Sequence, residues 1–370
     1  MDSSKPAFEP NAILRGAQLT VVGAHRALQN PNLFTSDHYR QAVAAVFAGL
    51  AIRIIIAIPT VGIRIFIWFL GFFINLKGST WDNDLIDGLH FLEHSVLQVP
   101  FFLMTMMRYI TPTLDNMFME SLEWVDRTYV QKHRSDDPKG LRAMYYPNLR
   151  MYQAGTPQDP AGKKSPMDAF IIVLTRFARR GGISLAVYAC SFFPYIGKFV
   201  LPAASFYTFN KAVGLQPAVV IFGTSIFLPK RYLVTFLQTY FSSRTLMREL
   251  LVPYFHRVHF TPAQKKAWFK DREGVLFGFA FAFTTMTKIP LVGVLIYGVA
   301  EASTAYLVTK ITDPPPPPSE EKEFIESQVH WKNKHEFMRL PLAAIDALNV
   351  KHDEDKNKTG VPSYPGRKFT

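Results

Sequence analysis

Cysteine is almost absent. Cys190 is the only one, so no intramolecular disulfide can form. It lies inside an apolar arm, where a free Cys behaves as a small packed hydrophobe. Enzyme signatures are missing too: there is no G-x-S-x-G elbow, no Walker A loop and no G-x-G-x-x-G fingerprint to place a nucleophile or cradle a phosphate. No enzymatic activity and no cofactor are expected. The first residues, Met1-Asp2-Ser3-Ser4-Lys5-Pro6, have no apolar stretch beside a basic start, so no cleavable signal peptide is expected. Acidic residues are outnumbered, 29 against 41 Lys and Arg, for a formal net charge of +12. No zinc finger or RRM accompanies that charge, and it flanks apolar segments as the positive-inside rule describes, so a nucleic-acid partner is not expected.

Apolar residues are what the chain has in quantity. They make up 48% of 370 residues, and Phe alone numbers 32. Three long apolar runs are each interrupted by one pattern: aromatic or Ile, Pro, any residue, β-branched, Gly. Ile58-Pro59-Thr60-Val61-Gly62 interrupts the run Ala42 to Leu76. Phe193-Pro194-Tyr195-Ile196-Gly197 interrupts Ile183 to Phe209, and Ile289-Pro290-Leu291-Val292-Gly293 interrupts Val275 to Val308. Proline lacks an N–H and clashes with the preceding turn, and the Gly after it can re-aim the chain. Helix, break, helix is a hairpin. Three of them predict an all-α, polytopic membrane protein with broken helices. Three Pro kinks in ordinary spanning helices would be the simpler alternative.

Charges inside the runs are few. Arg53 and Arg64 lie six residues before Pro59 and five after it, at similar depth in a hairpin. Glu301 is the only acid in the last apolar arm. A charge at membrane depth is costly, so these three are candidate functional residues, either a structural ion pair or the lining of an anion path.

Around the runs, Asn11 to Gln29 has Ile13, Leu14, Ala17, Val21, Ala24 and Leu28 at helical spacing. It predicts an amphipathic helix, lying on a membrane or packed on the bundle and ended by Asn30-Pro31-Asn32. Asn83 to Val130 predicts an interfacial or partly inserted helix pair. His90-Phe91-Leu92-Glu93-His94 inside it matches an inverted zinc-peptidase pattern, but a five-residue match with two free positions is common, and no metal is assigned. Tyr129 to Asp168 reads as a polar, basic loop. Lys230 to Arg272 is a second basic block, with an apolar face of Leu233, Phe236, Leu237, Tyr240, Phe241, Met247 and Leu251. Arg231, Gln238, Ser242 and Arg248 lie opposite, which suits an anionic leaflet on the cytosolic side. His256 and His259 read as solvated. Pro314 to Pro318 is a stiff spacer, Ser319 a candidate helix cap, and the tail from Asn349 reads as disordered. Three regions result: 1–38 with the amphipathic helix, 39–312 as the helical membrane domain, and 313–370 as spacer and tail.

Several of these residues carry a resemblance. Arg15-Gly16, Asn30-Pro31-Asn32-Leu33, the Pro-x-x-Gly breaks and Tyr297-Gly298-Val299-Ala300-Glu301-Ala302 are similar to the etoposide-induced/CysZ-like membrane superfamily. The wording is closest to the fungal UsgS-like transmembrane proteins, related to yeast outer-spore-wall and lipid-droplet proteins. The similarity covers roughly residues 11 to 312. It implies spanning helices with partly penetrating hairpins, sulfate movement in the bacterial members, and an endoplasmic-reticulum setting in the animal ones. Two functions follow as expectations: a non-enzymatic organiser of endoplasmic-reticulum or lipid-droplet membranes, or an anion transporter or channel. The expected partners are the bilayer and its anionic lipids, with room for a homo-oligomer.

Overall fold

The computed structural model describes residues 8–34, 113–136, 141–152, 197–224, 230–287 and 292–348, with 43, 47, 65, 175 and 289 as isolated positions. Pro59, Gly62, Pro194, Pro290, Arg53, Arg64, Cys190, the His90–His94 pattern and the tail from Asn349 lie outside them. Every regular element among the described residues is helical, so the described fold is all-α.

The core is a crossing of three helices: α1 (Pro10–Leu28), α9 (Glu273–Met286) and α10 (Val292–Ile311). Helix α1 starts on Pro10, which costs little where the first N–H groups have no helical partner. It packs on the bundle, but not by its expected face. Leu14, Val21 and Leu28 are 61%, 71% and 53% exposed, while Ala12, Gly16, Leu19, Thr20, Gly23 and Ala27 are buried. The reason is distance. A Cβ on Gly278 of α9 would lie 1.9 Å from the Ile13 carbonyl oxygen, and one on Gly16 would lie 2.1 Å from that of Val275. The two backbones touch, and only small residues fit between them. Thr20 Oγ1 donates to the Phe279 carbonyl at 2.8 Å across the same contact.

Helix α2 (Thr113–Lys132) buries Phe118, Leu122, Val125 and Tyr129, a helical stripe, against α10. The expected polar loop beginning at Tyr129 is therefore helix as far as Lys132. Part of its continuation is also interior, since Arg142, Tyr145 and Leu149 are buried. The Asp126 carboxylate accepts from Arg142 Nη2 at 2.9 Å and from the backbone N–H of Tyr145 and Tyr146 at 2.8 and 2.7 Å. It thereby satisfies donors at the start of α3 (Tyr146–Met151).

Helices α4 (Gly197–Val213) and α5 (Leu215–Thr224) meet at Gly214, whose φ of +96° a side chain would strain. Helix α6 (Lys230–Leu250) buries Leu237, Tyr240 and Met247 of its expected apolar face. Ser242, placed on the opposite side from sequence, is buried too. Phe209, Tyr240 and Phe277 form an aromatic cluster joining α4, α6 and α9, with ring centroids 4.9 and 5.4 Å from Tyr240.

Helix α7 (Val252–Arg257) leads to α8 (Pro262–Asp271), which a reciprocal Thr261–Gln264 capping box opens. Two cations of the second basic block are used internally. Arg257 pairs with both oxygens of Asp115 at 2.8 and 2.6 Å, and Arg272 is buried. His256 is exposed, whereas His259 is half-buried with Nδ1 3.0 Å from Glu321.

The proline spacer lies against the body. Asn148 donates to the Pro315 carbonyl at 2.7 Å and the Tyr152 hydroxyl to that of Pro316 at 2.9 Å. Ser319 caps nothing, because a 3-10 turn over Pro318–Glu320 moves the start of α11 (Glu321–Val329) past it. Helix α12 (Lys334–Arg339) and a 3-10 turn over Leu342–Ala347 complete the described chain.

The α1–α9 crossing makes a clear prediction. Gly278→Ala is expected to destabilise the fold by about 3 kcal/mol, because two backbones must separate. Gly223→Ala in α5, where a Cβ meets nothing within 4 Å, should be neutral or gain up to about 1 kcal/mol from helix propensity. Thermal unfolding in detergent compares the two, and equal losses would refute the close crossing.

Candidate functional site

Helices α9 and α10 form one structural unit. The third apolar run is divided, with α9 ending at Met286 and α10 starting at Val292. Gly293 is buried at that start, and a Cβ there would lie 2.3 Å from the Thr287 carbonyl oxygen. At about 1.5 Å per residue, α9 is about 21 Å long and α10 about 30 Å.

Exposure changes sharply along the pair. Phe281, Met286, Ile289, Val292 and Leu295, around the break, are 43–52% exposed. At the other end, Val275 to Ala280 and Ala300 to Thr312 are all buried. The break end is thus an exposed apolar tip, and the far end is a packed base. Glu301 belongs to the base and is fully buried. Gly197 is the first residue of α4. The proposed partners of Glu301, Arg53 and Arg64, lie outside the described residues, as do the other four break residues.

The base contains a charge centre that the sequence reading missed. Asp346, 4% exposed, receives Lys310 Nζ at 2.8 Å, Lys132 Nζ at 2.9 Å and Arg26 Nη2 at 3.2 Å. One carboxylate from the C-terminal segment therefore gathers cations from α10, α2 and α1. Burial alone would raise the Asp346 pKa. The charges of Lys310 and Arg26, with hydrogen bonds from Lys310 and Lys132, outweigh it and hold the carboxyl well below the usual range.

Two further contacts close the end of α10. The Tyr145 hydroxyl donates to the carbonyls of Thr309 and Thr312 at 3.1 and 2.5 Å. Arg272 Nε donates to the Ile311 carbonyl at 2.9 Å, where helix-end carbonyls favour a cation. Its guanidinium lies 4.5 Å from the Trp268 ring and 5.4 Å from that of Trp331. Burial pushes Arg272 down to about 10, and it stays charged at neutral pH. Among the described residues no group of His, Cys, Asp and Glu could hold a metal ion. No helix there is long and apolar enough to cross a membrane.

No known protein family, curated protein or solved structure matches the chain.

Asp346→Asn leaves Lys310, 2% exposed, without its counter-charge. The expected cost is about 3–5 kcal/mol, with new protease cleavage between residues 313 and 348. The pH dependence follows from the depressed carboxyl. Its contribution is complete above the ordinary Asp value and disappears as pH falls through the lower folded value, so tail release is expected only below about pH 4. Release of the 313–348 segment at pH 5 to 6 would show that Asp346 does not hold it.

Proposed function

We propose that this is a non-enzymatic membrane-organising protein whose α9–α10 hairpin inserts its apolar tip into one leaflet. The sorting of surface along the hairpin carries this reading. Five large apolar side chains are exposed around the break, and none of the base residues 300–312 is. In water such a tip is unfavourable, and exposed apolar patches of this kind mark interaction surfaces.

Length favours partial insertion. The stretch of α9 bounded by exposed side chains, Phe281 to Met286, rises about 9 Å, and that of α10, Val292 to Leu295, about 6 Å. A hydrocarbon core is about 30 Å thick, and interfacial helices bury their apolar face about 5–10 Å into the boundary between headgroups and acyl chains. The tip therefore fits one leaflet. The outward stripe Leu14, Val21, Leu28 on α1 and the exposed Leu215, Val219 and Val220 on α5 add apolar surface of the same kind. A polytopic arrangement with endoplasmic-reticulum or lipid-droplet membranes as its site is the reading that the resemblance to the etoposide-induced/CysZ-like superfamily suggests. The transporter alternative rests on Arg53 and Arg64, which lie outside the described residues.

A depth measurement tests the insertion. Cys190 is replaced by Ser, and an environment-sensitive dye is attached at Ile289→Cys or, as an aqueous control, Lys322→Cys. In liposomes the Ile289 dye should shift to the blue and be quenched by nitroxides placed shallowly in the lipid, while the Lys322 dye should do neither. Aqueous emission at Ile289 would sink the insertion. Saturable anion flux through the same liposomes would favour the transporter instead.

A further inference from the structure

A cleft of about 1210 Å³ opens between the first turns of α1 and the segment from His330 to Leu342. Its walls carry four permanent cations, Arg15, Lys332, Lys334 and Arg339, against two carboxylates, Glu9 and Asp271. The walls are therefore net positive. The Asp271 carboxylate is oriented by the Trp331 backbone N–H, which donates to it at 2.6 Å. Lys332, Lys334 and Arg339 form no ion pair among the described residues. Arg15 is positioned by the fold. Its Nη2 donates to the backbone carbonyls of Met338 and Leu340, which fixes the α12 wall against α1. Like charges collected around one concavity repel one another, and an anion in the cleft would relieve that repulsion.

On the α1 side the cleft leads onto apolar surface. Leu14 lines it at 61% exposure and begins the outward stripe that continues through Val21 and Leu28. Residues seven apart on a helix lie about 10.5 Å apart along one side. The stripe therefore offers an apolar track about 21 Å long that starts at the basic cleft. A free inorganic anion would use the cleft and ignore the track. A molecule with an anionic head and long apolar chains would use both.

We propose that this cleft binds the phosphate-bearing headgroup of an anionic phospholipid, with the acyl chains lying on the Leu14–Val21–Leu28 stripe. Lys332, Lys334 and Arg339 supply charge-assisted hydrogen bonds to the phosphate oxygens. Arg15 holds the walls in place. The source of the lipid rests on the membrane reading above. Binding in detergent does not depend on how deeply the hairpin tip inserts, so the two can fail separately.

The full chain in uncharged detergent is titrated by calorimetry with dioctanoyl phosphatidic acid, dioctanoyl phosphatidylcholine or inorganic phosphate. Saturable binding of phosphatidic acid is expected. It should weaken about tenfold or more when Lys332→Ala and Arg339→Ala are combined, since each removes a charged contact. Both side chains are exposed, so the fold should persist. Lys266→Ala with Lys270→Ala, also exposed but on α8, should leave binding unchanged. Equal losses from the two pairs would mean diffuse charge attraction and overturn the site. Phosphatidylcholine binding as tightly would overturn the role of net charge. Inorganic phosphate binding as tightly as phosphatidic acid would overturn the lipid and leave a phosphate site.

Discussion

The backbone contact between α1 and α9 decides the rest of the architecture. Where Gly16 and Gly278 meet, no side chain separates the helices. That closeness allows Thr20 to reach the Phe279 carbonyl and places Gly23 against Ser303 of α10. It also requires the small residues of α1 to face inward. A helix has one inward side, so Leu14, Val21 and Leu28 must then face out. The exposed stripe is a geometric consequence of the crossing. Dispersion between closely approached backbones supports such contacts.

Polarity is sorted along the hairpin, and the sorting explains what each end can do. The tip has exposed Phe, Met, Ile, Val and Leu. The base has Asp346 with three cations, Asp126 with Arg142, and Arg272 between two tryptophans. Buried ion pairs add little net stability, because desolvation offsets most of their attraction. Their effect here is to fix which segments meet. The Asp346 pairs join the C-terminal segment to α10 and the Asp126–Arg142 pair joins the 141–152 segment to α2, while Arg272, through the Ile311 carbonyl, joins the end of α8 to the end of α10. A hairpin clamped at the base by directional contacts can present a tip with few contacts of its own.

Periodicity and breaker residues made the helical class readable, along with α1, α6 and the division of the third apolar run between Met286 and Val292. The inward side of α1 was not readable by the same rule. Hydrophobic periodicity assumes that large apolar residues go inside, and the Gly16–Gly278 contact reverses that preference. The base was hidden by sequence distance. Asp346 meets cations 36, 214 and 320 residues away, and nothing local in Ala344-Ile345-Asp346-Ala347 points to any of them. The one available signal was a lone acid among apolar residues in an otherwise polar tail. Arg142 and Arg272 misled for a related reason. Each sits in a stretch basic enough to read as solvated, while its own side chain has fixed partners in the interior.

The C-terminal segment then takes on a role that a spacer and tail would not have. It meets α1 twice, through Arg15 with the Met338 and Leu340 carbonyls and through Arg26 with Asp346. Arg15 and Arg26 are eleven residues apart, about three turns. Helix α1 is therefore held along most of its length between α9 on one side and the segment after the prolines on another. The glycine contact sets how close α1 comes, and the two arginines set how it is rotated. Rotation is the quantity that matters, because a helix turned by half a turn would bury the Leu14 stripe and expose the glycines. The outward apolar stripe, the cleft beside Leu14 and the docked segment up to residue 348 are thus one arrangement, and Arg15, which fixes the rotation of α1, bears on all three.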